Sequence, residues 1–122
     1  RVYTGFVRLV KTATVANGTG VGGATDAVPG AVITYSIVYT NISTVATGGN
    51  VGLTASSLVI TENGNVAPND WGATTTQVVG SATDSTTGVL AGDVANSDIL
   101  TDTIATLAPQ ASGTFSFQRT IN

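Results

Sequence analysis

The chain has 122 residues, of which only 9% are charged, and its formal net charge is −3. It contains neither His nor Cys, which excludes histidine general bases, histidine or thiolate metal ligands, and disulfide bonds. Nucleic-acid binding requires clustered basic residues, whereas the four basic residues here are scattered, so we expect a protein without enzymatic activity, cofactor or nucleic-acid partner.

The first segment, residues 2–15, is predicted to be an extended strand that is apolar on both faces. Alternate residues of a strand point to opposite sides of its sheet. One face carries Val2, Phe6 and Val10, and the other carries Tyr3, Val7 and Leu9. A strand that is apolar on both sides is expected to be buried on both sides. It either crosses the core of its own domain or is donated to a neighbouring subunit, where it fills a groove. We therefore treat residues 1–15 as a candidate donor strand and residues 16–122 as a β-sandwich domain.

Two later segments, residues 31–41 and 113–122, show the period-two pattern of half-buried strands. The large side chains on their predicted core faces are Ile33, Tyr35, Ile37 and Tyr39 in the first segment, and Phe115, Phe117 and Ile121 in the second. Arg119 interrupts the second of these faces, and we expect its long side chain to reach solvent at the rim of the sandwich.

Weaker patterns predict further strands at residues 50–61, 73–83 and 98–107. The last of these is polar at alternate positions, which favours an edge strand. Trp71, the only Trp, is expected to plug the core beneath a loop over residues 62–71. Short strands separated by Gly and Asn predict an all-β, antiparallel fold.

Several short motifs resemble the conserved repeat domain of bacterial and archaeal surface proteins known as domain of unknown function eleven. The matching residues are Pro29-Gly30, Tyr35, Thr40-Asn41, Asn50-Val51, the closing turn at residues 107–113, and Phe115 with Phe117. Gln110 stands where that family usually has Gly. After Leu53 the family's Asp and Leu-Pro pair are replaced by residues 56–62, a departure similar to a variant in large secreted proteins of cyanobacteria. The resemblance implies an immunoglobulin-like antiparallel β-sandwich with a surface or fibre role and no catalytic residues.

Three other kinds of site were weighed. Calcium prefers clustered oxygen ligands, and an acidic stretch contains Asp84, Asp93, Asp98 and Asp102. Their spacing matches no EF-hand, so we interpret them as solvated turn and strand-end residues.

Some surface sandwiches join a Lys to an Asn by an isopeptide bond, and Lys11 and Asn122 are the candidates here, although the sequence places no carboxylate beside them. The aromatic residues alternate along strands, which favours a core role over a carbohydrate platform.

The absence of Met and the abundance of Thr, Ser, Gly and Asn predict a processed, secreted protein located outside the cell or at its surface. No apolar run approaches the roughly 18 residues of a membrane-spanning helix. We expect a structural subunit of a pilus-like extracellular filament, a homopolymer assembled by donor-strand complementation. The predicted interface residues are Val2, Tyr3, Phe6, Val7, Leu9 and Val10. The alternative is a spacer or adhesive immunoglobulin-like domain of a large surface protein, with other surface proteins or polysaccharide as partners.

Overall fold

A computed structural model of the chain describes residues 5–122, which form eight strands and one single-turn helix. The strands are β1 (Val7–Ala16), β2 (Val32–Asn41), β3 (Ala55–Asn63), β4 (Thr75–Gln77), β5 (Thr83–Asp84), β6 (Val89–Ala91), β7 (Ile99–Leu107) and β8 (Ser112–Ile121), and the helix is α1 (Trp71–Thr74). All strand pairs are antiparallel. The predicted all-β antiparallel fold is confirmed.

The strands form two sheets that share one core, as in a β-sandwich. The larger sheet has the order β1-β2-β8-β4, with β5 also paired to β8, and the smaller has the order β3-β7-β6. The two segments with the clearest period-two pattern lie side by side in the larger sheet, where Tyr35 faces Phe117 and Ile37 faces Phe115. Both sheets contribute to the core, the larger through Tyr39, Phe115 and Phe117 and the smaller through Ile60, Leu100 and Ile104.

Strand β7 differs from its predicted place. It pairs with β3 on one side and β6 on the other, so the prediction of an edge strand is wrong. Asp102 points into the core between Leu100 and Ile104 and is fully buried. The polarity that indicated an edge therefore comes partly from a residue on the core face, and Asp102 is not the solvated turn residue that we expected.

The segment predicted as one strand at residues 73–83 is broken. Its first residues belong to α1, and the rest form the short strands β4 and β5 on the same side of β8. The helical turn places Trp71 in the core, where the side chain is only 3% exposed, as predicted. The three-residue strand β6 was not predicted, because it is too short to show a period.

Arg119 does not reach solvent, so the prediction of a rim position is wrong. Its side chain is fully buried, with the guanidinium carbon 4.3 Å from the centre of the Trp71 ring. The guanidinium group donates to Thr75 Oγ1 at 2.7 Å and to the carbonyl of Ser97 at 2.7 Å, and it forms an ion pair with Asp98 at 3.3 Å. These partners replace the water that a rim position would have supplied.

The strand register defines two poles of the molecule. Val7 lies opposite Asn41, and Ser112 lies opposite Thr40, at what we call the N-terminal pole. At the other end of the same strands, Ala16 lies opposite Val32, and the backbone of Ile121 hydrogen-bonds to Ala31. We call this end the C-terminal pole. The described chain therefore starts at one pole and finishes at the other.

Candidate functional site

The first strand is paired within its own chain. All ten residues of β1 lie opposite residues of β2, and the carbonyl of Phe6 accepts a hydrogen bond from the backbone N–H of Ile42. Phe6 and Val7 pack partly against the core. Val2 and Tyr3 of the predicted donor interface lie outside the described residues.

Most of β1 is not covered within one copy of the chain. Leu9 shares the core-facing side of the sheet with Tyr39 yet is 51% exposed, and Val10, on the outer side, is 47% exposed. The expectation that both faces are buried is therefore wrong for a single chain. Strand β1 is the outermost strand of the larger sheet, and an apolar edge strand of this kind leaves its outer N–H and C=O groups available to another chain.

Lys11 fixes the middle of β1 to the opposite sheet. Its ammonium group lies 2.5 Å from Glu62 Oε2 on β3 and 4.9 Å from the centre of the Tyr35 ring. Asn122 has different partners, accepting from Thr76 Oγ1 at 2.7 Å and donating to the carbonyl of Ala73. Because Lys11 faces Ile37 while Asn122 follows the residue bonded to Ala31, the two are separated by roughly 20 Å along the strands, at about 3.3 Å per residue. The structure does not bring the predicted isopeptide pair together.

The four aspartates weighed as calcium ligands do not gather in one cluster. Asp98 pairs with Arg119, and Asp93 accepts hydrogen bonds from Gln77 and from the backbone of Ala82. Within residues 5–122 no group of three or more potential metal-ligating side chains is found. Only Asp84 and Asp102 come together: a Cβ atom added to Gly88 would lie 2.1 Å from Asp102 Oδ1 and 2.8 Å from Asp84 Cγ.

Asp84 and Asp102 have opposite environments. Asp84 accepts hydrogen bonds from the Tyr39 hydroxyl at 2.6 Å, from the hydroxyl and backbone N–H of Thr86, and from the backbone N–H of Gly88. These donors outweigh its partial burial and hold the pKa of Asp84 well below its usual range. Neither oxygen of Asp102 has a hydrogen-bond donor in the described part of the chain, and burial together with the nearby Asp84 charge raises the pKa of Asp102 to about 7. A proton on Asp102 is what allows these two carboxyl groups to bond to one another.

A cleft of about 340 Å³ opens at the C-terminal pole. It lies between the end of the larger sheet and the turn that carries α1. Its lining includes Ile33, Tyr35, Ile121, Pro68, Asp70 and Trp71. The wall presents almost as much polar as apolar surface, since Asn69, Thr74 and Thr75 also line it, and the exposed carboxylate of Asp70 stands beside them. Sequence reasoning missed this cleft because its walls come from four separate segments of the chain.

The two poles differ in charge. At the N-terminal pole, the loops at residues 42–54 and 108–111 contain no charged residue, and the nearest exposed charge is Arg8, opposite Thr40. The long loop exposes Ile42, Val45 and Val51. At the C-terminal pole, Asp26 and Asp70 are exposed, and neither forms an ion pair within residues 5–122. One end is apolar with a basic margin, and the other is acidic.

Comparison with protein-family models, curated proteins and solved structures gives no match to this chain. The resemblance to the surface-protein repeat therefore stays a prediction. In the part of the chain that the structure describes, no helix has the length and apolar character needed to cross a membrane.

Proposed function

We propose that the protein is a structural subunit of an extracellular, pilus-like filament in which copies of the chain are joined end to end. The observation that carries this proposal is that the first and last described residues lie at opposite poles, Gly5 at the N-terminal pole and Asn122 at the C-terminal pole. A module with this layout lengthens a fibre by about one strand length, roughly 33 Å for ten residues. Composition supports the same role, because a chain without His or Cys is inert to most redox and metal chemistry.

The charge difference between the poles supports head-to-tail stacking. An acidic pole attracts a basic margin and repels another acidic pole, so complementary charges select one orientation of neighbours. Such a contact joins two different surfaces of the same molecule. When repeated without closing into a ring, it produces an open filament.

Because β1 pairs with β2 of its own chain, the donor segment that we propose is shorter than the predicted residues 1–15. Because residues 7–16 already pair with β2, we assign donation to the residues that precede β1. Gly5 has a φ of +73°, a backbone conformation that glycine adopts without strain, and it allows the chain to change direction before β1 begins. Leu9 and Val10 then remain as exposed apolar surface beside the donated segment.

The alternative function is a spacer domain within one long surface protein. The complete pairing of β1 within its own chain favours it, and chain ends at opposite poles suit a row of linked domains equally well. The two functions differ in whether the isolated chain polymerises.

Electron microscopy and sedimentation of the purified chain over a range of concentrations test the proposal. We expect filaments with an axial repeat close to the strand length, about 33 Å or slightly more. A Val2→Asp variant should raise the concentration needed for assembly. A Val89→Asp variant, which changes an exposed residue on the lateral strand β6, should leave that concentration unchanged. A chain that stays monomeric at every concentration contradicts the filament proposal and favours the spacer.

A further inference from the structure

We propose that the cleft at the C-terminal pole is the acceptor site for residues Arg1–Thr4 of the next copy in the filament. This inference rests on the proposed end-to-end assembly and names the surface that receives the donated segment. The partner is a second copy of this chain, and the recognised chemistry is a short segment with a basic residue followed by an aliphatic and an aromatic side chain.

The cleft suits such a segment in size and lining. Its volume of about 340 Å³ lies near the lower end of the roughly 300–1,000 Å³ found for small-ligand pockets, which is room for a few side chains rather than a folded element. Ile33, Ile121 and Pro68 give it an aliphatic wall. Val2 and Tyr3 are the apolar side chains of the segment, and their burial there would remove apolar surface of both partners from water.

A copy of the chain is unable to fill its own cleft with this segment. Even if all six residues that precede Val7 were fully extended, they would span at most about 22 Å. The segment joins β1 at the N-terminal pole, where Val7 faces Asn41, whereas the cleft is lined by Ile33 near the start of β2. Along β2 these positions are separated by roughly 26 Å, at about 3.3 Å per residue. The occupant must therefore come from another copy whose N-terminal pole meets this C-terminal pole.

Charge complementarity supports the same pairing. Asp70 is exposed at the cleft and forms no ion pair within residues 5–122. Of the other basic residues, Lys11 is paired with Glu62, and Arg119 is buried with Asp98. Arg8, at the margin of the N-terminal pole, is exposed and takes part in neither ion pair, and Arg1 is the basic residue of the segment itself.

A carbohydrate is a poorer fit to this cleft. Sugars stack on flat, exposed aromatic faces, but Trp71 is only 3% exposed. Its ring is covered by the Arg119 guanidinium at 4.3 Å and by Phe117 at 5.6 Å between ring centres. Only part of the Trp71 ring and part of the Tyr35 ring are therefore accessible at the wall. Such partial surfaces suit contact with an aliphatic or aromatic side chain better than stacking of a sugar.

Site-directed disulfide formation tests the contact, since the chain has no Cys of its own. A Tyr3→Cys variant and an Asn69→Cys variant are mixed, assembled and oxidised. Asn69 lies at the cleft. The matched control replaces the second variant by Val51→Cys, an exposed residue of the N-terminal pole. We expect a mixed disulfide dimer with Asn69→Cys at least about tenfold more abundant than with Val51→Cys, and circular dichroism confirms that each variant is folded.

The outcomes separate this inference from the proposed function. Filaments that contain no mixed disulfide with Asn69→Cys, or as much with Val51→Cys, overturn the acceptor site and leave the filament intact. A wild-type chain that never assembles overturns both proposals.

Two further measurements use the same site. A synthetic peptide with the sequence of residues 1–5 should change the fluorescence of Trp71, the only Trp, in a saturable way. A soluble oligosaccharide that produces this change when the peptide does not would overturn the assignment.

An Asp70→Lys substitution should raise the concentration needed for assembly roughly fivefold at low salt, the scale of an exposed ion pair. Arg1→Glu in the same chain should return that concentration to the wild-type value. Failure of the second change to restore assembly removes the Arg1–Asp70 contact from the proposal.

Discussion

Asp102 lies in the core between two aliphatic residues of β7, beside the ionised carboxylate of Asp84. Its pKa is raised to about 7 from an ordinary value of 3.8. Between these two values the folded chain holds a proton that the unfolded chain has released, so the free energy of unfolding must fall as the pH rises. The stabilising effect of the protonated form is fully present below about pH 4 and is lost by slightly above pH 7.

We therefore expect the melting temperature of the chain to decrease between about pH 4 and pH 7 and then to level off. An Asp102→Asn variant keeps the shape of the side chain and is neutral at every pH, so its melting temperature should stay nearly constant over this range and exceed that of the wild type at pH 8. Asp26→Asn, at an exposed position, serves as the control and should follow the wild-type pH dependence. A wild-type melting temperature that is constant from pH 4 to pH 8 would show that Asp102 is not protonated in this way.

Arg119 is the second buried ionisable residue with a defined role. Burial lowers its pKa, and the Asp98 carboxylate opposes that change. Arg119→Ala leaves the buried hydroxyl of Thr75 and the partly buried carbonyl of Ser97 without their donor and removes the cover of Trp71. We expect a loss of about 3–5 kcal/mol, the scale for breaking a buried ion pair. Chemical denaturation measures this loss, with Arg8→Ala, on the exposed side of β1, expected within about 0.5 kcal/mol of the wild type. A loss below about 1 kcal/mol for Arg119→Ala would contradict the described network.

At the scale of secondary-structure elements, alternation predicted the strands that are buried on one face. Strands β2 and β8 follow it closely, because Tyr35, Ile37, Phe115 and Phe117 all face the core. The pattern failed at Asp102 and Arg119, which occupy core positions but are polar. A sequence pattern treats such residues as solvent-facing, whereas partners from other strands, or a bound proton, allow their burial. As a result, β7 was predicted at the edge of its sheet and Arg119 at the solvent-exposed rim, and both predictions are wrong.

Less of the candidate site could be predicted. The apolar character of the first segment was visible in Leu9 and Val10, but their exposure depends on which strand becomes the edge of the larger sheet. The ion pair of Lys11 with Glu62 joins residues far apart in sequence. The cleft depends on the turn at Trp71, and the repeating pattern of a strand carries no signal for that turn.

Strand β1 is the edge strand of the larger sheet, held by its ladder to β2, by the partial packing of Phe6 and Val7 on the core, and by one ion pair to β3. Lys11→Met keeps most of the apolar stem and removes the charge. We expect faster amide hydrogen exchange along β1 with little change in β8, and a loss of global unfolding free energy of no more than about 1 kcal/mol, since the pair is partly exposed. Thr12→Val, at a neighbouring exposed position, is the control. Equal changes in β1 and β8 would show that β1 unfolds only with the whole domain.

For the whole molecule, the distribution of basic residues has a consequence for the proposed extracellular filament. Trypsin-like proteases cut after Lys or Arg, and the chain offers them four positions. Arg119 is buried, and Lys11 is held between the sheets by Glu62. The two remaining positions, Arg1 and Arg8, belong to the proposed donated segment and to the strand that follows it. A free subunit would therefore be trimmed only at the end proposed to join it to its neighbour, and a filament in which the next copy covers that end would resist such proteases along its whole length.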